Sequence, residues 1–386
     1  MRKICFLVDS LFTIGGVQRV TAVIAKAMAR DCHVTIVTLD QPDMLDTSLY
    51  GLNEADISYR FFSYPATGRL KTLCCKAYSA AYRKLRLPWR WASRLYAHSS
   101  FPSELRNALA HELSQGGYDA IVGVHAPLAV RLASCRGQLV RTRLIGWIHN
   151  SHEALFGRQS LYIGPELRRH YEYQLASLDT TVVLSQADAR CYPFPTRVIY
   201  NPLTLTPGAP SQGRSRRFLA VGRFTPLHKG FDLLIEAFAR FAREDSLWQL
   251  DIVGEGPEEA LYRQLIARHG LSDRVALHPF TTDIQHYYTE AQVFVLSSRW
   301  EGMPLVLVEA MSHGLPVVSS DLPVCREIMG DVALFFANGD TEQLARRLHE
   351  ATLFDWPARS AQALRTAGRF SLQSVVASWQ QTMAGR

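Results

Sequence analysis

Nowhere does the chain approach the roughly 18–20 consecutive apolar residues that a membrane-crossing helix needs. The opening apolar run, Ile4 to Val8, stops at Asp9. That is too short for the core of a signal peptide, and no small-residue cleavage site follows. It reads as a first buried strand, and the expected location is the cytoplasm. Cysteine is sparse: seven residues, none in a C-x-x-C pair, which suits free thiols in a reducing compartment and argues against a disulfide framework. No Asp-x-Asp occurs, and the first strand–helix turn lacks the G-x-G-x-x-G dinucleotide fingerprint. Acid is missing from one long stretch: residues 57–103 contain neither Asp nor Glu.

What is present points to a folded, two-domain chain. A hydrophobic fraction of 47% supplies a core, and 386 residues exceed what one simple core organises. The net charge of +7 favours an anionic partner: nucleic acid, a phosphorylated small molecule or an acidic membrane surface. No nucleic-acid recognition motif accompanies the charge, so nucleic acid is not an expected partner. The acid-free stretch is basic, aromatic and roughly helical. Its candidate surface residues are Arg83, Lys84, Arg86, Trp89, Arg90 and Trp91, with Tyr78, Tyr82 and Tyr96 interleaved. Such a segment suits an anionic lipid surface or the phosphates of an acceptor; a plain solvated helical face is the other reading.

Apolar runs alternate with helical periodicity in both halves, which predicts an α/β fold of parallel sheets. Strands are expected at residues 3–9, 34–39, 57–64, 118–125 and 144–149, with a helix over 161–177. The aperiodic stretch 204–215, rich in Pro, Gly and Ser, reads as a linker between a domain at 1–203 and one at 216–369. The last helix, within 370–386, is expected to pack back on the first domain.

Candidate site residues stand at strand ends. Gly15 and Gly16 in the first turn allow close backbone approach to a phosphate or sugar oxygen; a plain tight turn would use them too. His125 and His149 end strands, where α/β sheets bind ligands. His149 and His152 lack the third ligand of a metal site. In the second half Arg223 and Lys229 flank a strand–helix turn, suited to neutralising a diphosphate leaving group. Glu301 and Glu309 stand eight positions apart. Pro304 is expected as the first residue of a helix buried all round. Glu309 inside it needs an answer: hydroxyls of a ligand, a core Arg, or a neighbouring backbone group.

The ordered set Val221-Gly222-Arg223-Phe224, Lys229-Gly230, Gly254-Glu255-Gly256-Pro257, then Ser298, Glu301-Gly302-Met303-Pro304, Glu309-Ala310-Met311 and Gly314 closely resembles the nucleotide-sugar half of family 4 retaining glycosyltransferases. The resemblance covers essentially the whole second domain and is looser in the first. Asn201-Pro202 stands where the family often has Asn-Gly. The resemblance implies the GT-B architecture of two facing Rossmann-like domains. It implies that Arg223 and Lys229 grip the donor diphosphate, that Glu309 accepts from ribose hydroxyls, and that Glu301 faces the sugar near the reacting carbon. Met303, Pro304 and Leu305 would touch the phosphates or sugar, Gly16 the diphosphate, His125 the sugar and reaction centre, and Phe280 the base. Gly15 and His149 are weaker sugar or acceptor contacts. The donor expected is a nucleotide diphosphate sugar (UDP before GDP), and the acceptor a glycan or a polyprenyl-diphosphate-linked sugar. No metal or other cofactor is expected, since cations replace a metal at the diphosphate. Rival readings are a nucleotide-sugar 2-epimerase and a catalytically dead sugar- or lipid-binding scaffold.

Overall fold

The computed structural model describes residues 1–385 apart from 86, 88, 159 and 161, and leaves out the side chains of Arg69, Lys71 and Arg90. Arg86 and the Arg90 side chain therefore lie outside the described residues. The chain divides into two compact units, Met1–Asn201 with Leu372–Arg386, and Pro202–Ser371.

Unit 1 contains β1 (Arg2–Val8), α1 (Gly16–Met28), β2 (Cys32–Thr38), β3 (Ile57–Phe61), α2 (Arg69–Leu85), α3 (Arg90–Ser100), α4 (Ser103–Gln115), β4 (Ala120–Val124), α5 (Ala126–Ser134), β5 (Arg143–Trp147), α6 (His152–Phe156), α7 (Arg168–Leu175), β6 (Thr180–Val183), α8 (Gln186–Ala189) and β7 (Arg197–Val198). Its strands pair in parallel in the order β3-β2-β1-β4-β5-β6-β7. The continuous apolar run of β1 is what a strand covered on both faces requires, and Ile4 to Val8 are all buried.

Unit 2 contains β8 (Arg217–Val221), α9 (Phe231–Phe241), β9 (Gln249–Val253), α10 (Glu259–Arg268), β10 (Val275–His278), α11 (Ile284–Glu290), β11 (Val293–Leu296), α12 (Leu305–Ser312), β12 (Val317–Ser320), α13 (Pro323–Met329), β13 (Ala333–Phe336), α14 (Thr341–Thr352) and α15 (Trp356–Ala367). Its parallel order is β10-β9-β8-β11-β12-β13. Aromatic packing fills its core: Phe218 stacks on Trp248 at 4.5 Å and meets Phe241 edge-on at 5.4 Å. The last helix, α16 (Leu372–Met383), belongs to unit 1. Its Trp379 is fully buried with its ring 4.7 Å from that of Trp147.

Three local features differ from the sequence expectation. β3 ends at Phe61, short of residue 64, because Tyr64 turns to meet Phe62 and Phe101 edge-on at 5.0 and 5.6 Å. The helix expected over 161–177 is a short 3-10 turn, Pro165–Leu167, followed by α7. Gly164 sits at φ +94° ahead of Pro165, a pairing that ends regular helix on its N-terminal side. The 204–215 stretch is extended chain fastened to unit 2, not a free linker. Ser211 N–H donates to His313 O at 2.9 Å, and Gly208 N–H to His313 Nε2 at 3.4 Å.

In both sheets the strand order reverses beside the first strand of the unit, between β1 and β4 and between β8 and β11. Loops leaving the C-terminal ends of such neighbours run apart and open a crevice, the usual ligand position of open α/β sheets. Among the described residues no helix is long and apolar enough to cross a membrane.

Candidate active site

At the unit 2 reversal, residues 222–230 lead from β8 into α9, and residues 297–304 lead from β11 into α12. The two loops are clasped. Gly230 has φ +63°, and a Cβ there would lie 2.1 Å from the Ser297 carbonyl oxygen, so only glycine allows the approach. Ser297 Oγ donates to Lys229 O at 2.8 Å, and Arg299 N–H donates to His228 O at 2.8 Å. The Arg299 guanidinium grips Asp232 at the start of α9 with bonds of 2.9 and 2.6 Å.

This clasp brings Lys229 and Glu301 together. Lys229 Nζ donates to Glu301 Oε1 at 2.7 Å, and Ser298 Oγ donates to the same oxygen at 2.7 Å. His228 Nε2 stands 3.9 Å from Glu301 Oε2 and donates to the Trp300 carbonyl at 3.0 Å, while its ring stacks on the Trp300 indole at 5.1 Å. A carbonyl can only accept, so Nε2 carries the proton. Burial is the largest influence on the Glu301 carboxyl and pushes its pKa up. Lys229, His228 and the two hydrogen bonds together outweigh it, and the group is held below the ordinary carboxylate range. Burial keeps the His228 pKa low, with the pull of Glu301 opposing it.

Glu309, on α12, is 2% exposed. Its Oε2 accepts from the Tyr288 hydroxyl at 2.9 Å and its Oε1 from Thr204 Oγ1 at 3.3 Å. Two hydroxyls of the protein thus answer the buried carboxylate here. Arg223 lies next to the glycine that follows β8 and is exposed. Pro304 is the N-cap of α12, with Leu305 the first helical residue, a one-residue shift from expectation. No side chain caps that end, and the positive end of the helix dipole there suits an anion. Met303 and Pro304 are buried. Phe280 follows β10, two strands from the reversal, and its ring is exposed without a ring contact among the described residues.

In unit 1 the other predicted residues follow β1, β4 and β5. Gly15 is the N-cap of α1 with extended backbone, and Gly16 begins the helix. The Gly15 N–H already donates to the Tyr50 hydroxyl at 2.8 Å, so the close approach once open to a ligand there falls to Gly16. His125 caps α5 at φ +74°, ψ 151°, a conformation that costs a non-glycine residue about 1–3 kcal/mol. Its ring lies 5.3 Å from that of His149. Burial lowers the His125 pKa to about 4, and burial together with His125 holds that of His149 well below the ordinary value. His149 Nε2, Trp147 Nε1 and Trp379 Nε1 are buried without a hydrogen-bond partner. The indole of Trp147 bridges the other two rings at 4.2 and 4.7 Å. The acid-free segment runs from β3 through the hairpin α2–α3, and not all of the hairpin's aromatics face out. Tyr82 and Tyr96 are buried and stacked at 4.5 Å, and Arg83 is ion-paired with Glu166 at 3.1 Å.

Sequence reasoning missed His228, Tyr288 and Thr204. A lone loop histidine, a helix tyrosine and a threonine in an aperiodic stretch carry no pattern; only the fold brings them to the glutamates. Among the described residues no three His, Cys, Asp or Glu side chains gather as a metal site.

Comparison with known proteins matches residues 215–352 to the family Glycosyl transferases group 1. An uncharacterized glycosyltransferase of Haemophilus influenzae is 26% identical over 332 residues, covering 83% of this chain and 80% of its own. The lipopolysaccharide core biosynthesis glycosyltransferase LpsE of Rhizobium meliloti is 32% identical over 174 residues, 44% of this chain and 49% of its own. Among solved structures, Anabaena Alr3699/HepE in complex with UDP and glucose superposes over 100% of both chains with a TM-score of 0.74 at 19% identity, a likeness of fold. The two parallel-sheet, Rossmann-like units are those of GT-B glycosyltransferase structures.

Proposed function

With a group 1 glycosyltransferase domain at residues 215–352, we propose that this protein is a family 4 enzyme moving a hexosyl or N-acetylhexosaminyl group from a nucleotide diphosphate sugar to a glycan hydroxyl with retention of configuration. The donor is a UDP-sugar, a reading supported by the bound UDP named for the Anabaena neighbour. The acceptor is a lipid-linked oligosaccharide of surface-polysaccharide assembly at the cytoplasmic face of the membrane, supported by the role named for the Rhizobium relative. The observation that carries the reading is the Lys229–Glu301 pair at the β8/β11 reversal.

Lys229 is the movable charge. Donor binding places the diphosphate within reach of Lys229 and Arg223, and the ammonium is shared between Glu301 and phosphate as the leaving group gains charge. Glu301 stays ionised at neutral pH, because its neighbours hold its pKa low. It is therefore unsuited to donate a proton and suited to positioning sugar hydroxyls and stabilising positive charge that develops on the sugar ring. The acceptor hydroxyl attacks from the face the diphosphate leaves, and its proton passes to the departing phosphate oxygen. Ribose hydroxyls donate to Glu309 in place of Thr204, whose 3.3 Å bond is the longer of the two. Arg223 and Lys229 carry the diphosphate charge without a metal.

The test is transfer from a panel of UDP-, GDP- and dTDP-sugars to lipid-linked and free glycans. Lys229→Ala and Glu309→Ala should abolish transfer in folded protein. An isomerised sugar from donor alone would indicate the epimerase instead. Absence of any donor-induced thermal shift would indicate the scaffold.

A further inference from the structure

The α2–α3 hairpin presents a surface that sugar transfer leaves unused. Its inner face is filled. Tyr82 stacks on Tyr96, the Tyr78 hydroxyl donates to Ala92 O at 3.1 Å, and Ser93 Oγ meets His170 Nδ1 on α7 at 3.0 Å. Its outer face is not polar. On α2, Leu70, Leu73, Ala77 and Ala81 recur at helical spacing and are all exposed, Leu70 by 81% and Leu73 by 67%. At the turn into α3, Trp89 and Trp91 are 53% and 59% exposed and stack on each other, ring centroids 5.7 Å apart and planes 7° from parallel. Leu95, one turn further, is also exposed. Lys76 and Lys84 border the stripe, exposed and without an ion pair among the described residues.

A leucine and tryptophan stripe bordered by lysines matches the make-up of helices that lie in a lipid interface. We propose that this face docks on an anionic lipid bilayer, with the indole pair at the headgroup level and the leucines below it. Charge decides the occupant. No carboxylate occurs between residues 57 and 103, so a second copy would set two like-charged faces together, whereas anionic headgroups complement both lysines. The inference is independent of the chemistry assigned to unit 2.

The experiment is co-sedimentation of the full chain with vesicles of phosphatidylcholine alone or mixed with phosphatidylglycerol, at low and high salt. The expected result is partition onto the mixed vesicles at low salt, at least about tenfold weaker at high salt or on neutral vesicles. Trp89→Ser with Trp91→Ser, and separately Lys76→Glu with Lys84→Glu, should each weaken partition about tenfold or more. Thermal unfolding and UDP binding should be unchanged, which separates loss of the surface from loss of fold or of the donor site. No partition of the unaltered chain, equal partition on both vesicles, or variants that partition normally would overturn the proposal. So would a lipid-free dimer in sedimentation velocity that dissociates on the tryptophan change, which would give the face to a second copy.

Discussion

At the β8/β11 reversal the loops carry ions that answer one another: Lys229 and Glu301 at 2.7 Å, Arg299 and Asp232 at 2.6 Å. In unit 1 the loop after β4 carries His125 and the loop after β5 carries His149, neutral rings beside Trp147 with His149 Nε2 and Trp147 Nε1 buried and unpaired, while the one carboxylate directly after β1, Asp9, lies in the field of Arg131. Burial acts on both. At Glu301 partners overcome it and keep the carboxyl charged, whereas at His125 and His149 no partner opposes it and the imidazoles stay neutral. The contrast suits the reading in which one unit holds a diphosphate, which needs counter-charge, and the other handles a neutral hydroxyl.

The largest expected effect breaks the clasp that makes unit 2 ionic. Gly230→Ala forces a left-handed φ on alanine and drives its Cβ into Ser297 O, so a loss of at least about 3 kcal/mol is expected in chemical denaturation. Lys229→Met leaves a buried carboxylate short of its main partner. It should cost about 3 kcal/mol and lower transfer by about a thousandfold or more. Adding Glu301→Leu should return most of the stability and none of the turnover, which separates folding from chemistry.

Acid sharpens the comparison between units. The depressed pKa of His125, about 4 against an ordinary 6.5, means that its contribution is complete above pH 6.5 and is lost as pH falls toward 4. That is on the order of 2–3 kcal/mol after screening. Buried His170, also lowered to about 4, acts in the same window. The Glu301 contribution, present above the ordinary carboxylate value of 4.5, is lost only as pH falls through its still lower folded value. Hydrogen exchange at pH 5 against pH 7 should show β4 and β5 losing more protection than β8 and β11, where the one lowered imidazole, His228, has the pull of Glu301 opposing its burial; the reverse order would contradict the contrast. The smallest effect is expected from Tyr288→Phe, which removes one of the hydroxyls on Glu309 and should cost about 1–2 kcal/mol in thermal unfolding, with a changed donor KM.

The two units also differ in how far the sequence reveals them. The βα alternation foretells both sheets, because buried parallel strands read as continuous apolar runs whatever their neighbours. The unit 2 site is legible because a clasp of this kind restricts residue type at each position: glycine where Ser297 approaches, lysine where Glu301 must be answered. The partners from outside the motif, Thr204 and Tyr288, are invisible until the chain folds. In unit 1, apolar environment does the work, and apolar residues repeat everywhere. Trp379, far along the chain, packs by Trp147 for reasons no spacing records. In the sequence Tyr82 and Tyr96 are interleaved with the basic residues of a candidate surface. Helical period alone leaves open which stripe turns inward, and here two tyrosines fill the hairpin while leucines face out.

Isothermal titration of UDP and UDP-sugars into the intact chain, beside Arg223→Ala and the stability-restored Lys229→Met/Glu301→Leu variant, addresses the central claim most directly. The account predicts saturable binding of a UDP-sugar by the unaltered chain and at least about a hundredfold weaker binding in both variants. Undiminished affinity in the variants, or no nucleotide binding by the intact chain, would contradict it.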